Sequence, residues 1–287
     1  RCLDGLMICL GDGLRGEEWR WLKERLEIGF VDGVQQVLAP TLVWSDAALY
    51  NTLPAYIRTR RWTVHKFAYE MAAQGALCGA VMRSEDLAHA EGCLFVPNFD
   101  LLAETERQAV AAYVSGPVVC TAAVEGFTPA EYGIRPEIYL VDGFSNYPLC
   151  VFAFGAGIDA RDRDAIAALA ATDDGTKNLE GDPAAAAEHS NVLAETLTFA
   201  KVTVGFRRAC AALLKAAADD RFTCNLPLVP MRMQDGRYRL YVSNPEIDSY
   251  GYATVTARYP IRQVTSVSKY PVLPVKFMDS PDEAVGW

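Results

Sequence analysis

The stretch Gly92–Thr121, GCLFVPNFDLLAETERQAVAAYVSGPVVCT, decides the fold class of this chain. It contains two short apolar runs, Cys93–Val96 and Pro117–Cys120, on either side of a segment with helical periodicity. Apolar runs of this kind, separated by a helix of about a dozen residues, are typical of buried strands in a parallel sheet. Gly116 is placed to end the helix. The stretch therefore predicts a strand–helix–strand unit.

The same alternation continues toward the N-terminus. Val37–Trp44 and Leu77–Met82 are strand candidates, and between them apolar residues at helical spacing follow Thr63, a good N-cap. Earlier still, Leu6–Leu10 predicts a strand and Glu17–Ile28 a helix, and Asp46 is a candidate cap for a short helix. Strands that alternate with helices imply βαβ units, so we expect an α/β fold with an open parallel sheet flanked by helices.

The pattern changes toward the C-terminus. Glu137–Val141 and Leu149–Phe154 predict a hairpin, and Val192–Ala218 predicts one long helix. After Asn225 the apolar residues alternate with polar ones, and Val272–Phe277 continues this pattern, which is typical of antiparallel strands. We therefore expect an α/β domain over residues 1–225. A smaller β-sandwich-like domain is expected over residues 226–287.

Composition excludes some classes of function. The chain has 287 residues and a formal net charge of -9, which argues against nucleic-acid binding. The basic residues Arg58, Arg60 and Arg61 are interpreted as a solvated helix end or loop. No apolar run reaches the ~20 residues that span a bilayer. Eight cysteines without a CxxC pair indicate a reduced, cytoplasmic protein. Because the sequence starts with Arg1, we expect a piece of a longer polypeptide.

Two motifs suggest enzymatic alternatives. Gly11, Gly13 and Gly16 form a G-x-G-x-x-G pattern before a helix, which would make a phosphate loop for a dinucleotide. The acidic residue expected after the next strand is not well placed, so an ordinary turn is the preferred interpretation. Cys120 ends a predicted strand and is the alternative nucleophile, but no glycine flanks it. A buried structural thiol is the preferred interpretation.

Open α/β sheets bind ligands at the carboxyl ends of their strands, where the strand order reverses. Six residues are expected at those ends and are the candidates for a ligand crevice: Trp44, Ser45, Asp46, Asn98, Asp100 and Thr121. The alternative is structural, with the two aspartates as helix caps and the tryptophan in the core. No catalytic residue, metal or cofactor is expected from these residues, since three histidines without paired ligands do not indicate a zinc site.

Leu94–Thr121 resembles the amidotransferase-like domain of carbohydrate-active enzymes, and it is similar to the trimerisation domain of β-galactosidases. The strand ending in TLVWSD (Thr41–Asp46) and the helix ending in MAAQGA (Met71–Ala76) extend the resemblance over about residues 40–125. Where such sequences often have a serine cap, this chain has Ala103. In that family the domain is generally non-catalytic, follows a catalytic (β/α)8 barrel and precedes a β-rich domain.

The resemblance implies a non-catalytic accessory or assembly region of a glycoside hydrolase or related protein. It implies a homo-oligomer, a catalytic barrel of the same parent chain as a partner, and carbohydrate as a candidate ligand. No nucleic acid or membrane is expected as a partner. Two alternatives remain open: an amidotransferase-like enzyme that uses Cys120, and a dinucleotide-binding protein that uses Gly11–Gly16.

Overall fold

The computed structural model describes residues 15–29, 31–59, 61–143, 148–172, 202–242, 253–265 and 285–286. The described helices are α1 (Gly16–Gly29), α2 (Asp46–Thr59), α3 (Val64–Ala73), α4 (Glu104–Ala111), α5 (Ala160–Ala170) and α6 (Val204–Ala217). The described strands are β1 (Val34–Val37), β2 (Thr41–Trp44), β3 (Ala80–Arg83), β4 (Leu94–Val96), β5 (Val118–Ala123), β6 (Ile138–Val141), β7 (Leu149–Phe154), β8 (Phe222–Cys224), β9 (Leu228–Met233), β10 (Tyr238–Val242), β11 (Thr254–Ala257) and β12 (Val285–Gly286).

The fold is mixed α/β and divides into two compact units. One unit contains residues 38–219, and the other combines the residues up to Val37 with those from Asp220 onward. The expected division placed residues 1–37 with the α/β domain. In the structure β1 instead pairs with β9, antiparallel, so this N-terminal strand groups with the C-terminal one.

The α/β unit is built on a six-stranded sheet in the order β3-β2-β4-β5-β7-β6. The expected parallel pairing of four strands is confirmed: β2 pairs in parallel with β3 and β4, and β4 pairs in parallel with β5. The expected strand Val37–Trp44 was wrong in its extent. It is two strands in different sheets, separated by a break that ends at Pro40, a residue with no N–H to donate.

The expected hairpin joins the same sheet. β6 and β7 pair antiparallel, and β7 pairs antiparallel with β5 over six residue pairs. The sheet is therefore mixed rather than purely parallel, which corrects the expectation of an open parallel sheet. Because β7 runs against both neighbours, the carboxyl ends of β2, β4, β5 and β6 all lie at one edge of the sheet.

Side chains that alternate along the central strands form a core on each face of the sheet. Phe95 and Val119 belong to one buried cluster, which also includes residues of α3, α5 and α6. Leu94 and Cys120 belong to the opposite cluster, together with Val110 of α4. Helices thus cover both faces, which explains why these strands are continuous apolar runs in the sequence.

Helix starts differ from the expected ones. Ser45, not Asp46, caps α2, because its Oγ accepts the N–H of Ala48 at 2.9 Å. The expected long helix Val192–Ala218 was wrong in its extent, since α6 begins at Val204. Thr203, with φ -62° and ψ 154°, accepts the N–H of Phe206 and caps it. The expected first ten residues of that helix, and the expected strand Leu6–Leu10, lie outside the described residues.

Two glycines are required by close backbone contact. A Cβ on Gly116 would lie 2.2 Å from the carbonyl oxygen of Gly92. A Cβ on Gly205, in the first turn of α6, would lie 2.5 Å from the carbonyl oxygen of Leu169 and 2.9 Å from that of Thr172. Gly116 therefore lets the β5 start approach the β4 start, and Gly205 lets α6 approach the end of α5.

The second unit contains two small antiparallel sheets, in the orders β1-β9-β10 and β12-β11-β8. β10 and β11 match the alternating segments expected from the sequence, whereas the expected strand Val272–Phe277 lies outside the described residues. None of the helices in the described ranges is long and apolar enough to cross a membrane.

Candidate functional site

The carboxyl edge of the six-stranded sheet is the candidate functional site. The chain passes from β2 to β3 on one side and later to β4 on the other side of β2, so the strand order reverses between β2 and β4. Such a reversal is where open α/β sheets bind ligands. All six predicted crevice residues follow or belong to the strands that end here: Trp44, Ser45, Asp46, Asn98, Asp100 and Thr121.

Ser45 is joined to Glu106, a residue that sequence analysis did not select for the site. Glu106 Oε2 accepts the Ser45 hydroxyl at 2.8 Å, and its Oε1 accepts the Ser84 hydroxyl at 2.5 Å. Oε2 also accepts the N–H of Ala103 at 2.7 Å, which satisfies the start of α4 despite the alanine at the cap. One carboxylate thus ties together the ends of β2 and β3 and the first turn of α4.

Trp44 and Asp46 form a more exposed group at the end of β2. The indole N–H of Trp44 donates to Asp46 Oδ1 at 2.9 Å, and Trp44 is half-buried against the core. Asp46 Oδ2 lies 3.5 Å from the Arg83 guanidinium, and both side chains are mostly exposed. An exposed pair of this kind contributes little to stability, because water screens the two charges.

Asp100 forms an ion pair with Arg61 at the end of β4. Both terminal nitrogens of the Arg61 guanidinium donate to the carboxylate, and the two side chains are only 5% and 14% exposed. Asp100 Oδ1 also accepts the N–H of Ala123 at 3.2 Å. Arg61 is therefore buried and paired, so its interpretation as part of a solvated loop was wrong. Asp100 is likewise not a helix cap, because its carboxylate is turned to this arginine.

Asn98 lies between β4 and β5 and has an unusual backbone conformation. Its φ is 56°, in the left-handed region that asparagine tolerates better than most residues. Its N–H donates to Thr121 Oγ1 at 3.1 Å, and its side-chain NH2 donates to the Trp62 carbonyl at 3.0 Å. Asn98 and Thr121 are fully buried. Within the described ranges, Asn98 Oδ1 and the indole N–H of Trp62 have no hydrogen-bond partner.

A buried network continues from Trp62 to helices α3 and α6. Lys66 Nζ donates to Glu70 Oε1 at 2.6 Å, and Arg207 donates to Glu70 Oε2 at 3.0 Å. Lys66 Nζ and Arg207 Cζ lie 5.7 Å and 5.9 Å from the centroid of the Trp62 ring, within the range of cation–π contact. The two helices are therefore joined to each other by charged side chains as well as by apolar packing.

Cys120, the alternative nucleophile, is fully buried within β5, three residues before the strand ends. Burial raises the pKa of its thiol well above the usual value of 9.0, and the neighbouring Cys150 and Cys93 act in the same direction. A thiol becomes a nucleophile as its thiolate, so these surroundings disfavour reaction. His65 and His89 are exposed, and His189 lies outside the described residues.

The alternative phosphate loop is only partly described, since Gly11 and Gly13 lie outside the described residues. Gly16 begins α1, and the N–H of Arg15 before it donates to Glu18 Oε2 at 2.6 Å. The N-terminus of α1 therefore already has an anionic partner of its own. In the part of the chain that the structure describes, no three His, Cys, Asp or Glu side chains are grouped as metal ligands.

The structure thus brings the predicted residues to one edge, but it joins most of them to partners that the sequence did not indicate. Glu106 and Arg61 are the main partners of this kind. The sequence contains only one indication that Arg61 is buried, namely its position next to the apolar residue Trp62. Glu106 accepts three hydrogen bonds, and Asp100 accepts three. Neither carboxylate is left available as a general acid or base without breaking these bonds.

No family model matches this chain, and neither a curated protein nor a solved structure is significantly similar to it.

Proposed function

We propose that this chain is a non-catalytic accessory region, used for assembly, of a glycoside hydrolase or related carbohydrate-active protein. The proposal that the region is non-catalytic rests on one observation: the polar side chains at the carboxyl edge of the sheet form hydrogen bonds and ion pairs with other side chains. A substrate would have to displace the Arg61–Asp100 pair or the Ser45–Glu106 bond to reach them. The connection with carbohydrates and with a catalytic barrel rests on the resemblance of residues 40–125 alone.

We also propose that the α/β unit is an amidotransferase-like, flavodoxin-like domain. The first four strands of the sheet have the order β3-β2-β4-β5, in which the first strand along the chain lies between the second and the third. This is the start of the order found in flavodoxin-like sheets. It supports an amidotransferase-like domain in which β5 carries a buried thiol instead of an exposed nucleophile at its end.

Thiol labelling tests the non-catalytic half directly. Cys224 is half-buried and serves as an internal control for Cys120. With a thiol reagent at neutral pH, we expect Cys224 to be modified in the native protein and Cys120 only after unfolding, as mapped by mass spectrometry. Modification of Cys120 at the rate of Cys224 or faster would favour the amidotransferase alternative.

Activity and binding measurements test the remainder. We expect no turnover of a panel of nitrophenyl glycosides or of glutamine, no heat of binding with NAD, and self-association by light scattering. Turnover that disappears in Cys120→Ala would establish an enzyme. Micromolar NAD binding that disappears in Gly13→Ala would establish the nucleotide alternative. A monomer at all concentrations would remove the assembly half of the proposal.

A further inference from the structure

Two buried side chains beside the carboxyl edge of the sheet each carry a polar atom that takes part in none of the bonds described above. Trp62 is 1% exposed, and Asn98 is fully buried. Among the described residues, the indole N–H of Trp62 and Oδ1 of Asn98 have no hydrogen-bond partner. A buried indole N–H usually has a partner, because a polar atom that is removed from water without one destabilises the fold. These two atoms therefore point to a bound polar group.

The orientation of the Asn98 amide follows from its contacts. The carbonyl oxygen of Trp62 can only accept a hydrogen bond, so the NH2 group of Asn98, and not its carbonyl, faces this oxygen at 3.0 Å. The backbone of Asn98, with φ 56°, brings its own N–H to Thr121 Oγ1 at 3.1 Å. Oδ1 therefore remains as an acceptor, on a residue just after β4, beside the reversal of strand order where open α/β sheets bind ligands.

Arg207 adds a second donor near the Trp62 ring. Its Cζ lies 5.9 Å from the ring centroid, and one terminal nitrogen donates to Glu70 Oε2 at 3.0 Å. The Nε–H of the same guanidinium is buried and has no hydrogen-bond partner in the described part of the chain. The Arg207 side chain is 20% exposed, so this residue connects the group with solvent. We call Trp62, Asn98 and Arg207 together the Trp62 site.

The polar atoms of the Trp62 site define the chemistry of the group that they bind. Two of them are N–H donors, and the third is a carbonyl acceptor. A hydroxyl group has a hydrogen to donate and two lone pairs that accept, so one hydroxyl can satisfy all three atoms. A carboxylate or phosphate would place negative charge against Asn98 Oδ1, and an ammonium group would face the N–H donors and the charge of Arg207. The site therefore favours a neutral hydroxyl over an ion.

We propose that the Trp62 site binds one hydroxyl group, which belongs to an ordered water molecule or to a small polyol such as a sugar. Buried waters typically make about three hydrogen bonds to protein atoms that otherwise lack partners. A hydroxyl bound here breaks none of the bonds described above, whereas a ligand at Asp100 or Glu106 would have to displace Arg61 or Ser45. Sugar as the source of the hydroxyl rests on the proposed link with carbohydrates, and the hydroxyl site itself does not.

NMR of the full chain with 15N-labelled tryptophan tests the site. The Trp62 indole signal is identified by its nuclear Overhauser contacts with Phe67, whose ring centroid lies 5.1 Å away. The Trp44 indole, which already donates to Asp46 Oδ1 at 2.9 Å, is the internal control. Bound water gives a cross-peak between water and the Trp62 N–H. A bound polyol gives a saturable shift of the Trp62 signal, and not of the Trp44 signal, on titration with galactose. Dimethoxyethane, which has no hydroxyl, should shift neither signal.

A pair of conservative variants tests the contribution of Arg207. Arg207→Lys keeps a positive charge beside Glu70 but has no Nε–H, and Arg208→Lys is the matched control because Arg208 is its exposed neighbour. Arg207→Lys should weaken hydroxyl binding by about fivefold, the effect of one hydrogen bond. This appears as faster solvent exchange of the Trp62 indole N–H or as a higher Kd for galactose. Arg208→Lys should change neither, and circular dichroism of both variants shows that the fold is kept.

The outcomes separate this inference from the proposed function. A water cross-peak that persists in galactose would support the site and overturn sugar as the source of the hydroxyl. The absence of both the cross-peak and the galactose shift at Trp62 would overturn the site. Equal effects of Arg207→Lys and Arg208→Lys would overturn the part assigned to Arg207. None of these signals depends on self-association or turnover, so the site can fail while the accessory role stands, and the reverse also holds.

Discussion

Loss of Arg61 should destabilise the α/β unit more than loss of any exposed arginine. In Arg61→Met the stem of the side chain is kept, but the carboxylate of Asp100 remains in a site where its side chain is only 14% exposed. Its single remaining described donor is the N–H of Ala123 at 3.2 Å. Breaking a buried ion pair from one side costs about 3–5 kcal/mol, because it leaves a charge that is neither solvated nor paired.

That loss can be measured by urea and thermal unfolding. For a protein of this size, ~3–5 kcal/mol corresponds to a decrease in Tm of roughly 6–20 °C. The matched control is Arg83→Met, which removes a guanidinium paired with Glu85 at 3.1 Å where both side chains are more than half exposed. It should leave the stability almost unchanged, because solvent screens an exposed ion pair.

A double variant separates the pair from its parts. Arg61→Met combined with Asp100→Asn removes the charge that the single variant leaves behind, so it should be more stable than Arg61→Met alone. If Arg61→Met lost no more stability than Arg83→Met, the buried pair would not stabilise the end of β4, and this reasoning would be refuted.

Two other predictions concern the interior of the α/β unit. Burial raises the pKa of Cys93 from 9.0 to about 12, so the folded protein keeps this proton while the unfolded chain releases it above pH 9. The stabilisation that this bound proton provides is therefore fully present below pH 9 and is lost as the pH rises toward 12, by about 1.4 kcal/mol per pH unit. In Cys93→Ala the free energy of unfolding should fall less steeply with pH by that amount. Equal pH dependence in the two proteins would contradict the assignment. Gly116→Ala should destabilise the protein by ~1–3 kcal/mol, since its Cβ would lie 2.2 Å from the Gly92 carbonyl oxygen. The control is Gly16→Ala, whose Cβ would have no atom within 4 Å, so thermal unfolding should show it to be neutral or stabilising.

The order of elements could be predicted from the sequence where burial is complete. The strands around Phe95 and Val119 are covered on both faces, so their apolar runs stand out from the surrounding helices. β1 could not be placed in the same way, because its residues VQQV are mixed in polarity and only partly buried. Its partner β9 lies almost two hundred residues later in the chain, and no local sequence pattern indicates such a pairing.

The candidate site was predictable in position but not in chemistry. Residues at strand ends can be read from the sequence, since parallel strands bring their carboxyl ends to one edge. The partners of those residues come from other elements. Arg61 reaches Asp100 from 39 positions earlier in the chain, and Glu106 reaches Ser45 from 61 positions later. These contacts depend on the packing of helices against the sheet, which spacing alone does not encode.

The contact of Gly205 with the end of α5 has a practical consequence for engineering. Because Gly205 approaches the carbonyl oxygens of Leu169 and Thr172 closely, the chain leaves α5 and enters α6 at neighbouring points in space. The 29 residues from 173 to 201 therefore connect two ends that a linker of about six residues could join. A reporter domain could also be inserted between Thr172 and Val202, provided that its own termini lie a short distance apart.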